Sequence, residues 1–204
     1  VILIIGGSQG AYAINKAIFE IKKNHYSELK NVGLIWSTGN YSYEEFKKKV
    51  HSEIDGGSIY MSPFINNVGE AYQASTIAIS RAGSGVMVEL AAMGVPSILI
   101  PYPYAASDHQ TKNADEFVEK GASKKIIEDE NLIDNLLTQI LDILSNERLL
   151  KEMKEHSLAL AKVNAADNIM MDIVTNELPN LKSKIENKVQ KNQSVIKNND
   201  KVTA

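Results

Sequence analysis

Two glycine-rich stretches carry the first chemical signal in this sequence. Gly6-Gly7-Ser8-Gln9-Gly10-Ala11 follows a β-branched apolar run, and Gly83-Ser84-Gly85 opens an apolar, small-residue helical pattern. Small residues let a ligand approach the backbone, and the unpaired N–H groups of a helix start attract a phosphate. Ser8, with Gln9 and Gly10 beside it, adds a hydroxyl donor. Neither stretch is the dinucleotide fingerprint GxGxxG, and neither is a P-loop, since no Gly-Lys-Ser/Thr follows. Glu89, four residues beyond Gly85, is the only charge between Ser84 and Leu99. A carboxylate buried in such a helix needs a partner, and a vicinal diol such as ribose satisfies both its oxygens. An ordinary solvent-facing glutamate is the competing account.

Two further loops hold polar groups beside rigid or aromatic ones. In Ser62-Pro63-Phe64-Ile65-Asn66-Asn67, Asn66 or Asn67 can cap the next helix, and Phe64 with Ile65 offers a surface for a base. In Pro101-Tyr102-Pro103-Tyr104-Ala105-Ala106-Ser107-Asp108-His109-Gln110, two prolines delay the helix until Ser107 or Asp108 caps it. His109 and Gln110 then face the strand ends, where hydroxyl-rich ligands bind. Consecutive Ser107, Asp108 and His109 cannot converge as a catalytic triad. His25, His51, His109 and His156 have no ligand spacing on one helix, so no metal is expected. Glu128-Asp129-Glu130 reads as acids placed at a helix N-terminus.

The elements that must position these loops alternate in type. Strands are expected at Val1–Ile5, Val32–Trp36, Ser58–Met61, Thr76–Ser80, Pro96–Ile100 and Lys124–Ile127. Helices are expected at Ala11–Lys23, Tyr43–Ser52, Asn67–Gln73, Ser84–Met93 and His109–Glu119, then Leu132–Leu144, Asn146–Val163 and Ala165–Glu177. That rhythm predicts an α/β fold, a Rossmann-like doubly wound parallel sheet of about six strands with C-terminal helices. In such a sheet ligands bind beyond the carboxyl ends of the strands, which is where all four loops fall.

Composition narrows the classes further. The 204 residues are 44% hydrophobic and 23% charged, and no cysteine is present, which excludes disulfide scaffolds, thiolate metal sites and cysteine nucleophiles. All 12 glycines lie between Gly6 and Gly121. The net charge of −3 gives no argument for nucleic acid. It is uneven, because six lysines against Glu186 and Asp200 give residues 179–204 a charge of +4. Residues 178–204 read as a Lys/Asn-rich solvated tail behind a lobe at 1–177. No apolar run reaches the roughly 18 residues of a membrane-spanning helix. Beginning on an apolar strand without Met, the chain reads as starting in mid-protein.

Together the stretches GGSQGA at 6–11, SPFINNV at 62–68, SRAGSGVMVELAAMGVPSILIPYP at 80–103 and DHQTKNA at 108–114 resemble the MurG family. The resemblance is to the C-terminal, donor-binding lobe of these GT-B glycosyltransferases, and it covers about 170 residues. Members transfer N-acetylglucosamine from UDP-GlcNAc, with inversion, to undecaprenyl-diphosphate-linked MurNAc-pentapeptide in peptidoglycan synthesis. The resemblance implies that Ser8 contacts the diphosphate beside Gln9 and Gly10, and that the Ile65 backbone reads the uracil edge. Gly83, Ser84, Gly85, Val86, Met87 and Val88 then close around the nucleotide, and Glu89 holds the ribose hydroxyls. Gln110 meets the sugar, with His109 less securely matched. UDP-GlcNAc enters as substrate, and no cofactor or metal is implied. The lipid-linked acceptor and the catalytic base belong to an N-terminal lobe without counterpart here, so no catalytic residue is assigned, and this polypeptide alone is expected to bind donor without transferring sugar. The full-length enzyme is expected in the cytoplasm, peripheral at the inner face of the bacterial membrane. A naturally split transferase and a non-catalytic nucleotide-sugar-binding module remain the alternatives.

Overall fold

The computed structural model describes residues 1–7, 9–54 and 57–176; Ser8, Glu177 and the expected tail at 178–204 lie outside the described residues. The chain divides into a compact unit, Val1–Ala161, and a second unit beginning at Lys162. Six parallel strands form one sheet: β1 (Ile2–Ile5), β2 (Leu34–Ser37), β3 (Ile59–Ser62), β4 (Ile77–Ser80), β5 (Ser97–Leu99) and β6 (Ser123–Lys125). Their order is β3-β2-β1-β4-β5-β6. Register pairs Ile2 with both Leu34 and Ile77, and Ile5 with both Ser37 and Ser80. The strand ends therefore align along one edge.

The helices between the strands are α1 (Tyr12–Asn24), α2 (Tyr26–Leu29), α3 (Tyr43–Glu53), α4 (Val68–Ala74), α5 (Ser84–Met93) and α6 (His109–Glu119), followed by α7 (Leu132–Ser145) and α8 (Glu147–Ala159). A period of two splits each central strand between the two faces. Ile2, Ile4, Ile77, Ile79 and Ile98 join Ile14, Ile18 and Phe46 of α1 and α3 and Leu136 and Ile140 of α7 in one core. Leu3, Ala78 and Leu99 join Tyr72 of α4, Leu90 of α5 and Phe117 of α6 in the other. Each fully buried Ile or Leu contributes about 1.5–3 kcal/mol of transfer free energy. The second unit contributes α9 (Ala165–Asn176) to the described residues.

Most boundaries shift by one or two residues from expectation, as where β2 begins at Leu34 rather than Val32; two of the shifts and one unexpected element have physical causes. The helix read as Asn146–Val163 stops at Ala159, because Leu160 and Ala161 bond to the Ser157 and Leu158 carbonyls in a tightened last turn. No Gly or Pro marks that stop. The sixth strand, read as Lys124–Ile127, runs Ser123–Lys125; its ladder ends once Ile126 N–H reaches the Leu99 carbonyl at 2.9 Å. The single turn α2 has no periodicity to betray it. It is held by the buried Lys22 ammonium, which donates to the Leu29 and Val32 carbonyls at 2.8 and 3.1 Å.

Candidate functional site

The sheet order reverses between β1 and β4, and the helices that follow them, α1 and α5, pack on opposite faces. A crevice must open where the two chains turn apart. There a half-open groove of about 210 Å³ is lined by Gly7, Ser37, Phe64, Ile65, Val86 and Glu89, among others. Small-molecule sites span roughly 300–1,000 Å³, so this groove suits part of a ligand rather than the whole.

The β1–α1 loop is built by close backbone approach. Gly10 has φ 82° and its amide donates to the Gly7 carbonyl at 3.0 Å, so this N–H, expected to be open to a ligand, is already engaged. A side chain at Gly10 would run into the Thr38 carbonyl, and Gly39 faces it with φ 79°. The end of β2 is pulled in by buried Asn15, which donates to the Thr38 carbonyl at 2.8 Å and accepts from Trp36 Nε1 at 2.8 Å. Gly7 is different: its φ is 83°, yet nothing among the described residues lies within 4 Å of a Cβ built there. Gln9 is exposed, and Ser8, between Gly7 and Gln9, lies outside the described residues.

The second loop is open throughout. A Cβ on Gly83 or Gly85 would meet nothing within 4 Å among the described residues. Ser84 to Val88 do not form a loop; they are the first turns of α5. Met87 turns into the core with 4% exposure and gives its amide to the Gly83 carbonyl, so its side chain does not line the groove. Val86 does line it, and Val88 is exposed.

Charge at the helix starts separates these loops from three of their neighbours; α6, after β5, also lacks an acid in its first turn but has Asp108 at its N-cap position. Neither α1 nor α5 has an acidic residue in its first turn. The helices that follow β2, β3 and β6 carry Glu44 and Glu45, Glu70, and Asp134 there. Acids near a helix N-terminus stabilise it by about 0.3–1 kcal/mol each. The two helices flanking the switch point leave that position open to an external anion.

Glu89 stands in the second turn of α5, facing the groove. Sequence reasoning set a buried carboxylate against a solvent-facing one, and the residue is exposed, at the groove's rim. One oxygen, Oε2, accepts from the Tyr72 hydroxyl at 2.7 Å. Burial, and then the Glu89 carboxylate, raise the Tyr72 phenol well above its ordinary value. In the third loop Ile65 lines the groove and Phe64 is exposed, with the Phe64 carbonyl taken by the Ser62 hydroxyl at 2.7 Å. No described residue hydrogen-bonds the Ile65 amide or carbonyl. Asn67 stands at the N-cap of α4 without capping it; its amide instead donates to Glu70 at 2.9 Å.

In the fourth loop Ser107 and Asp108 adopt φ 51° and 53°, and neither side chain caps α6, contrary to expectation. His109 is exposed and its Nδ1–H donates to the Ala106 carbonyl at 2.6 Å, which leaves Nε2 outward. Gln110 accepts from the Tyr102 amide at 2.9 Å, so its NH2 group is what remains for a ligand. Neither residue lines the 210 Å³ groove. The loop is braced by Arg81, which donates to the Ile100 and Pro101 carbonyls at 3.1 and 3.2 Å and lies 5.3 Å from the centre of the Tyr102 ring. Its Nη2 also stands 2.5 Å from Glu128 Oε2, an ion pair without hydrogen-bond alignment. Glu128 therefore serves the β4 end rather than the start of α7. Sequence reasoning missed Asn15, Tyr72 and Arg81, whose partners are 17 or more residues away. Among the described residues no three His, Cys, Asp or Glu side chains converge as a metal site.

Residues 1–170 match the family model described as the glycosyltransferase family 28 C-terminal domain. Two similar relatives bear the name UDP-N-acetylglucosamine–N-acetylmuramyl-(pentapeptide) pyrophosphoryl-undecaprenol N-acetylglucosamine transferase. That of Desulforamulus reducens is 37% identical over 83% of the chain and 46% of its own length, and that of Bacillus cytotoxicus 36% over 82% and 46%. The crystal structure of Acinetobacter baumannii MurG superposes with a TM-score of 0.70 at 30% identity, covering 82% of this chain and 47% of that one. The chain spans about half the length of the curated relatives it matches.

Proposed function

The chain belongs to the glycosyltransferase family 28 C-terminal domain family, and from that premise we propose that it is the donor-binding lobe of a UDP-GlcNAc-dependent N-acetylglucosaminyltransferase. The observation that carries the reading is one groove with a carboxylate at its rim, at a switch point flanked by two helix starts that lack acids. A diphosphate compensates those two helix ends, a diol suits Glu89, and a planar base fits beside Phe64 and Ile65.

The chemistry follows from the same charges. When the bond between the sugar's anomeric carbon and the diphosphate breaks, negative charge grows on the leaving UDP. The positive ends of α1 and α5 stabilise it, and they do so more strongly in the transition state than in the ground state. Ser8, Gln9, Ser84 and Gly85 are assigned to the diphosphate, Ile65 and Val86 to the nucleoside, Glu89 to the ribose, and Gln110 with His109 to the GlcNAc hydroxyls. UDP-GlcNAc is substrate, and the reading calls on no resident cofactor. In the full-length protein the acceptor is the undecaprenyl-diphosphate-linked MurNAc-pentapeptide, transfer is inverting, and the catalytic base and the peripheral contact with the inner face of the membrane belong to the remaining part. No helix among the described residues is long and apolar enough to cross a membrane.

Calorimetric titration with UDP-GlcNAc, UDP-GalNAc, UDP-glucose and ADP-glucose tests this reading. UDP-GlcNAc should bind tightest and ADP-glucose weakest. Equal affinity for all four removes both the base and the sugar assignments.

A further inference from the structure

We propose that Tyr72 is a positioning residue for Glu89: its hydroxyl fixes one carboxylate oxygen so that the other is presented to a vicinal diol in the groove. This inference rests on the reading of Glu89 as the ribose-binding group. Tyr72 lies in α4 with its ring 2% exposed in the core that α4 shares with α5, and its hydroxyl reaches Glu89 Oε2 at 2.7 Å. The ring is enclosed by the core, so the bond aims an exposed carboxylate that would otherwise sample several rotamers. Freezing such a side chain on binding lowers affinity by about threefold to tenfold.

The type of partner matters as much as its position. A Lys or Arg would orient Glu89 but would also neutralise it. A tyrosine donates one hydrogen bond and leaves the full negative charge for two hydroxyl donors. Burial and the neighbouring carboxylate hold the phenol in its protonated, donating form. A buried tyrosine hydroxyl needs some partner in any case. That requirement alone predicts a stability effect and no dependence on the ligand's hydroxyls.

Tyr72→Phe removes the hydroxyl and keeps the ring. Binding of UDP and of 2′,3′-dideoxy-UDP is measured for the unaltered chain, Tyr72→Phe, Glu89→Ala and the double variant, with thermal unfolding to establish that each is folded. Tyr72→Phe should weaken UDP about threefold to tenfold, leave dideoxy-UDP unchanged, and add nothing in the Glu89→Ala background. Should the Phe variant not fold, Tyr72→Met, which fills the core without a hydrogen-bond donor and leaves Glu89 in place, should separate the two nucleotides in the same way. Unchanged UDP affinity in Tyr72→Phe with a loss in Glu89→Ala overturns the role of Tyr72 and leaves the ribose reading standing. An equal loss for both nucleotides assigns Tyr72 to packing and also overturns it. No loss in Glu89→Ala, or no binding of UDP to the unaltered chain, overturns both readings.

Discussion

The two glycine loops at the switch point look alike in sequence and differ in what their glycines do. In the β1–α1 loop Gly10 presses its backbone against Thr38 and Gly39 beyond the end of β2, and a methyl group at Gly10 would collide with Thr38. In the β4–α5 loop Gly83 and Gly85 meet nothing among the described residues, and neither has a positive φ. The first loop needs glycine to fold. The second has no steric need for it among the described residues, and under the proposed function its open backbone is what the diphosphate approaches. A Gly-rich stretch is thus two different statements, one about the turn and one about the ligand, and only the neighbours tell them apart.

Four substitutions test that contrast. Gly10→Ala should lower the free energy of unfolding by about 2–5 kcal/mol, from left-handed backbone strain plus the clash with Thr38; urea denaturation measures it. A variant as stable as the original would remove the distinction between the loops. Gly85→Glu should fold normally and bind UDP at least about 100-fold more weakly, because like charges meet at the start of α5. Unchanged calorimetric affinity would detach the diphosphate from this helix. Glu89→Ala should cost about 1–3 kcal/mol in UDP binding by loss of a charge-assisted hydrogen-bonding group. Gly85→Ala is the smallest effect: a gain of about 0.4–1 kcal/mol in stability, since the backbone there is ordinary and open, read as a raised thermal midpoint. A fall in the midpoint would show that Gly85, like Gly10, is sterically required.

The fold was legible because its signals are local. Runs such as Ile2–Ile5 and Ile77–Ser80 are bounded by turn residues and separated by helical periods, and right-handed crossovers leave few ways to assemble them. Misreadings came where a boundary depends on a distant partner, as at Lys125, whose strand ends with its neighbour β5. The candidate site was legible as loops and not as contacts. Glu89 stood out for its isolation, yet its exposure follows from how α4 and α5 pack. Ser107 and Asp108 have capping chemistry, but the chain crosses them in left-handed geometry and their side chains cannot reach the α6 amides.

Sequence by itself determined the alternation of strands and helices, the four loops that follow strands, and the absence of cysteine. Each is written in residue types and spacings of fewer than about ten positions. Tertiary structure decided which glycines are obligatory, that Glu89 leans on Tyr72 seventeen residues earlier, and that Glu128 meets Arg81 rather than a helix end. Those facts are distances between segments, fixed only when the sheet order places β1 beside β4 and brings strand ends far apart in sequence to one edge.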